Sequence, residues 1–134
     1  MRKPVSIAPA HGPLAVLLPG LGAVATTLVA GGEAVRRGLA RPIGSLTQLA
    51  TIRLGRRTER RTPRIRELVP LATLDDLRFG AWDPFPDDAY QSAVNAKVLD
   101  RGLLDQLREP LSAVRPMPAV FSPDHVRRLD GPNV

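Results

Sequence analysis

The sequence predicts an α/β fold with a mostly parallel sheet. Three observations carry that expectation. A short apolar run at 14–18 leads through a glycine-rich turn into a helical segment. Further strand-like segments stand at 43–54 and 77–83. Helical patterns follow them, and alternation of this kind favours parallel strands joined by helical crossovers.

Residues 1–13 read as a loose tail, with prolines at 4, 9 and 13 and no periodicity, so the domain is expected over 14–134. Leu14-Ala15-Val16-Leu17-Leu18 is a continuous apolar run between Pro13 and Pro19-Gly20. That pattern fits a strand buried on both faces of a sheet. Gly22 to Arg37 reads as a helix, with Val24, Leu28 and Val35 at roughly helical spacing. Arg36 and Arg37 suit the negative end of its dipole, Gly38 suits its termination, and Gly31-Gly32 is its weak point.

After Pro42, Ile43 to Leu54 is strand-like through Ile43, Ser45, Leu46, Thr47, Leu49, Thr51 and Ile52. Arg53 to Arg66 carries seven arginines and reads as a surface excursion. Thr73 is placed to cap a short helix, and Leu77 to Asp83 to form a strand. Asp87 suits the cap of a helix over 88–98, and Asp100 the cap of one over 102–114. In the latter, Leu103, Leu104, Leu107 and Leu111 form an apolar stripe and Pro110 a kink. Ser122-Pro123-Asp124 has the pattern of a last helix start.

Composition limits the chemistry. The 134 residues suffice for one small domain, and with 4% aromatic residues the core must be mostly aliphatic. The absence of cysteine excludes disulfides, thiolate zinc sites and a cysteine nucleophile. It also fits a cytoplasmic protein. The net charge of +6 is nearly all arginine, since Lys3 and Lys97 are the only lysines. The arginine stretch could serve a phosphate-rich partner, but it has no aromatic residue for base stacking and reads better as a solvated loop. No nucleic-acid partner is expected. Arg2 and Lys3 ahead of the uncharged run Leu14 to Ala30 resemble a targeting or membrane segment. Pro19, Gly20 and Gly22 interrupt that run, and no membrane association is expected.

The glycine turn is the main chemical signal. Gly20-x-Gly22-x-x-Ala25 falls directly between the first strand and the first helix. Gly20 permits a tight turn, Gly22 lets a diphosphate approach the backbone, and Ala25 lets helix and strand pack closely. Free N–H groups at the helix start would face the anion, and Thr26 and Thr27 could add hydroxyl donors. This is the turn of a Rossmann-type dinucleotide-binding fold; an ordinary βα turn is the alternative. The carboxylate that usually follows about 20 residues on, to bind a ribose, is missing. Asp83 at the end of a later strand is the best substitute, or else a turn residue before Pro84.

Several stretches together resemble one family. The run Leu17-Leu18-Pro19-Gly20-Leu21-Gly22-Ala23-Val24-Ala25-Thr26-Thr27 is similar to the cofactor loop of myo-inositol-phosphate synthases. So are Arg41 to Gln48, Phe79 to Asp83 and Arg128 to Gly131, and the bacterial branch looks closest. The resemblance implies a partial Rossmann-type NAD-binding fold, the amino-terminal part of a longer enzyme. That enzyme would be an NAD-dependent isomerase turning glucose 6-phosphate into 1D-myo-inositol 3-phosphate by oxidation, intramolecular aldol cyclisation and reduction. Gly22, Ala23, Val24, Ala25 and Asp83 match positions that contact NAD, with Gly20 shaping the loop. The eukaryotic loop has Gly-Asn-Asn where this chain has Ala23-Val24-Ala25, which leaves the backbone to make those contacts. No residue here matches a catalytic or metal-binding position. His11 and His125 read as surface histidines. A homo-oligomer, or reliance on a carboxyl-terminal partner segment, is implied.

Overall fold

The computed structural model describes residues 11–122 and 124–134. The predicted tail therefore lies outside the described residues except for His11, Gly12 and Pro13, which are exposed. Three strands form one sheet in the order β1-β2-β3: β1 Leu14–Pro19, β2 Leu77–Asp83 and β3 Pro116–Pro118. Both pairings are parallel. β1 and β2 run in register from Leu14 opposite Leu77 to Pro19 opposite Trp82. β3 pairs only with Ala81, Trp82 and Asp83.

The first helix, α1 (Ala23–Arg36), follows β1 as expected. It runs through Gly31-Gly32 without a break. Gly32 has a packing reason, because a Cβ there would lie 3.3 Å from the Phe79 ring of β2. Arg36 fastens the far end of α1 to the start of β2. Its guanidinium pairs with Glu33, donates to the carbonyls of Leu74 and Leu77, and lies 5.9 Å from the Phe79 ring centroid. The run Leu14 to Ala30 is thus strand, turn and helix start. No helix among the described residues is long and apolar enough to cross a membrane.

Residues 43–54 depart from expectation. They form no strand but a helical turn, α2 (Leu46–Leu49), and then two isolated antiparallel bridges, Thr51 with Arg64 and Leu54 with Arg61. β-branched residues favour strands only where a sheet receives them, and this segment joins neither edge of the three-stranded sheet. The segment folds instead onto its own continuation. All seven arginines between Arg53 and Arg66 are exposed, as a surface excursion requires. Thr73 caps a short 3₁₀ turn at Leu74–Asp76 by accepting from the Asp76 N–H.

The remaining helices are α3 (Ala89–Ala96), α4 (Arg101–Gln106) and α5 (Arg108–Ser112). The cap of α3 is Asp88, one residue beyond the expected Asp87, accepting from Gln91 N–H at 2.8 Å. Asp100 caps α4 as expected. The break between α4 and α5 falls at Leu107, three residues before Pro110. A proline ring crowds the carbonyl four residues back, here Gln106, so the interruption appears upstream of the proline itself. The leucine stripe survives it: Leu104, Leu107 and Leu111 are at most 1% exposed. Each contributes about 1.5–3 kcal/mol on burial. They pack with Val29, Ala30 and Ala34 of α1, with Ala89, Tyr90 and Ala93 of α3, and with Ala81 of β2.

All of these helices lie on one face of the sheet. The other face, with Ala15, Leu17 and Met117, stays open, and Leu17 is 57% exposed. β1 is therefore not buried on both sides, because its second face has no covering layer among the described residues. The expected helix after Ser122 is also not formed. The Ser122 carbonyl accepts from His125 and Val126 in a single turn, and the chain then returns to the sheet. Residue 123 itself lies outside the described residues.

Tyr90 ties α3 to α4. Its hydroxyl donates to Asp105 at 2.6 Å and accepts from Arg101 at 2.8 Å, while Arg101 and Arg108 lie over its ring. The hydrogen bond from Tyr90 holds the Asp105 carboxyl below its ordinary range, with help from Arg101 and against burial. The same bond, with burial, pushes the Tyr90 hydroxyl up. Asp105 therefore stabilises the fold above about pH 4, its unfolded range. That contribution is lost as pH falls through its lowered folded value. The Tyr90 contribution is present below about pH 10 and is lost above it. Thermal melts should show a shallower acid limb in Asp105→Asn than in the parent; superimposable profiles would refute the coupling.

Candidate dinucleotide-binding site

A cleft of about 1200 Å³ opens at the carboxyl ends of the strands, the edge where parallel α/β sheets hold ligands. Its lining includes Pro19, Gly20, Gly22 and Ala23 from the glycine turn, and Trp82 and Asp83 from the end of β2. Val120, Phe121 and Leu129 from the segment after β3 also line it.

The two glycines of the turn do different work. Gly20 has φ +113°, a conformation side chains rarely adopt, and its N–H donates to the Trp82 carbonyl at 2.7 Å. It turns the chain out of β1 while keeping it tied to β2. Gly22 is the N-cap of α1, with an ordinary extended backbone at φ −80°. A Cβ there would meet no atom within 4 Å. Gly22 is thus not required by crowding within the protein; what its missing side chain leaves is open space at the cleft. It also gives α1 no side-chain cap. The first backbone bond of the helix runs from Thr26 N–H to the Gly22 carbonyl at 2.9 Å. No acceptor among the described residues takes the N–H groups of Ala23, Val24 and Ala25, which stand at the positive end of the helix dipole.

Asp83 is held on both sides. One carboxylate oxygen accepts from Leu21 N–H at 2.6 Å and the other from Phe85 N–H at 2.9 Å. The carboxylate therefore fixes the residue between Gly20 and Gly22, a role that sequence reading did not foresee. Each oxygen keeps a second lone pair for a ligand hydroxyl.

Of the residues singled out from sequence, Gly20, Gly22, Ala23 and Asp83 meet at the cleft. Ala25 packs against the core, as its small size suggested, and Val24 is 86% exposed on the first turn of α1. Thr26 and Thr27 turn their hydroxyls to the helix backbone. Thr26 is buried and bonds back to the Gly22 and Ala23 carbonyls, and Thr27 bonds to Ala23 at 2.7 Å. A hydroxyl one turn into a helix finds the preceding carbonyls closer than any ligand. The arginine excursion supplies no lining residue, and among the described residues the cleft lining contains no lysine or arginine. Sequence reading also missed the apolar wall of Phe85, Val120, Phe121 and Leu129. Phe85 lies far in sequence from the other three, and no pattern links them.

Comparison with known proteins gives the site its family. The NAD-binding family model described as myo-inositol-1-phosphate synthase matches residues 14–134. Inositol-3-phosphate synthase 1 of Bacteroides thetaiotaomicron is 47% identical over 129 residues, covering 96% of this chain and 29% of that protein. Inositol-3-phosphate synthase 1 of Oryza sativa subsp. japonica is 35% identical over 130 residues, covering 88% of this chain and 26% of its own length. The crystal structure of inositol-3-phosphate synthase from Caenorhabditis elegans shares the fold. Its TM-score is 0.67 at 23% identity, over 87% of this chain and 26% of that one. The chain thus spans less than a third of the length of these relatives. Its nucleotide cofactor is NAD, and the chain belongs to the myo-inositol-1-phosphate synthase family, matching the NAD-binding part.

Proposed function

We propose that the cleft holds NAD with its diphosphate on the glycine turn, and that the chain serves the isomerisation of glucose 6-phosphate to inositol 3-phosphate. The observation that carries this reading is the open start of α1, whose unbonded N–H groups stand beside Gly22 at the strand ends. Gly20 sets the turn and Gly22 leaves room for the diphosphate. The N–H groups of Ala23, Val24 and Ala25 supply donors, and Asp83 offers its remaining lone pairs to a ribose. Bound there, NAD would supply the oxidising and reducing power for an isomerisation with no net redox change. The part of this chain is to bind the cofactor, orient it and shield one side of it with apolar residues.

Trp82 is the only tryptophan and lines the cleft, which makes it a natural reporter. Titration with NAD is expected to quench its emission saturably, with a matching heat of binding by calorimetry. Neither signal at millimolar NAD would overturn the reading.

A further inference from the structure

The link between β2 and β3 is poorly supplied with donors. β3 is Pro116-Met117-Pro118, and its two prolines have no N–H to give to the ladder. Asn133, distant in sequence, supplies what they lack. Its side-chain amide donates to the Asp83 carbonyl of β2 at 2.8 Å and to the Met117 carbonyl of β3 at 3.3 Å. Its backbone N–H donates to the Pro84 carbonyl at 2.8 Å, and its carbonyl accepts from Ala119 N–H at 2.9 Å. One residue thus spans the ends of both strands at the point where the cleft opens.

Asp83 is where this bridge meets the glycine turn. The residue whose carbonyl Asn133 holds is the one whose carboxylate holds Leu21 N–H at 2.6 Å. Gly131 shows how closely the returning segment is fitted, since a Cβ there would fall 2.3 Å from the Pro84 carbonyl oxygen.

We propose that Asn133 is a positioning residue for the dinucleotide turn, holding Asp83 so that its carboxylate can fix Leu21 between Gly20 and Gly22. The proposal rests on the NAD reading above, but it makes a claim about the turn that can be tested without cofactor. Asn133→Asp keeps the shape and removes the amide donors, placing an acceptor against two carbonyl oxygens. Asn133→Gln keeps a donor on a longer arm. Gly131→Ala leaves Asn133 in place and displaces the segment that carries it.

Amide exchange at Leu21, followed by NMR without ligand, is the direct readout. It should be slow in the parent and at least about tenfold faster in Asn133→Asp and Gly131→Ala, as loss of one hydrogen bond's constraint predicts. Asn133→Gln should stay nearer the parent. Where the parent binds NAD, the dissociation constant read from Trp82 emission should rise by on the order of tenfold in the same two variants. Parent-like Leu21 exchange in Asn133→Asp would overturn the proposal. So would equal defects in Asn133→Asp and Asn133→Gln, which would signify a packing role alone. A parent that fails to bind NAD would overturn the functional reading, while Leu21 exchange would still decide the role of Asn133.

Discussion

Valine in place of Gly22 is expected to abolish NAD binding and leave the chain folded. The position has an extended backbone and open space around its would-be Cβ, so a branched side chain fits without strain. Gly22 also contributes no side-chain cap that could be lost. The cost to the fold is the poorer N-cap preference of valine, about 1 kcal/mol at most, or a few degrees in Tm for a domain of this size. The same side chain would stand where the diphosphate must reach the N–H groups of Ala23, Val24 and Ala25. Affinity should fall at least about 100-fold, close to 3 kcal/mol. Gly20→Val is the contrasting case. At φ +113° a side chain strains the backbone by about 1–3 kcal/mol, so that variant should lose stability and binding together. Calorimetric titration and thermal melts of the two variants separate the roles. A folded Gly22→Val protein with parent-like NAD affinity would show that the diphosphate lies elsewhere.

The sequence exposed those parts of the fold whose cause is local. β1, α1, β2, α3 and the leucine stripe of α4 and α5 each have their own periodicity, cap or breaker, and each stands within a residue or two of its expected place. The errors fall where tertiary structure decides. Residues 43–54 have strand-like composition, yet they join no edge of the sheet and pair with their own continuation through two isolated bridges instead. β3 has the opposite problem. Pro-Met-Pro would not be chosen as a strand, and only the edge formed by Ala81, Trp82 and Asp83 makes it one. The glycine turn was legible because its residue types are dictated by backbone geometry. The clamp from Asp83 to Leu21 was not, since 62 residues separate the partners and no pattern links them. The bonds of Thr26 and Thr27 to their own helix were equally hidden. Their hydroxyls are satisfied within the helix before any ligand arrives.

Residues 1–134, supplied with NAD and glucose 6-phosphate, are expected to form no inositol phosphate. Oxidation at carbon, enolisation and aldol closure each need an acid or base held near the reacting atom. Among the described residues, the ionisable ones lining the cleft are Asp83 and Asp87. Asp83 already accepts backbone N–H groups through both oxygens, and Asp87 accepts from the Asn95 side chain at 3.0 Å. Lys97 is exposed at the left-handed end of α3, and His125 is exposed in the turn after Ser122. Neither lines the cleft, and among the described residues the lining offers no cationic side chain to clamp the substrate phosphate. The open sheet face points the same way. Among the described residues nothing covers Ala15, Leu17 and Met117 on one side of the sheet, and a single layer of helices covers the other. An apolar face of that kind favours self-association of the isolated chain, which light scattering would reveal alongside the assay. Product is measured as phosphate released after periodate oxidation, with purified chain free of any full-length synthase. Sustained turnover under those conditions would overturn the expectation and place proton-transfer groups within this chain.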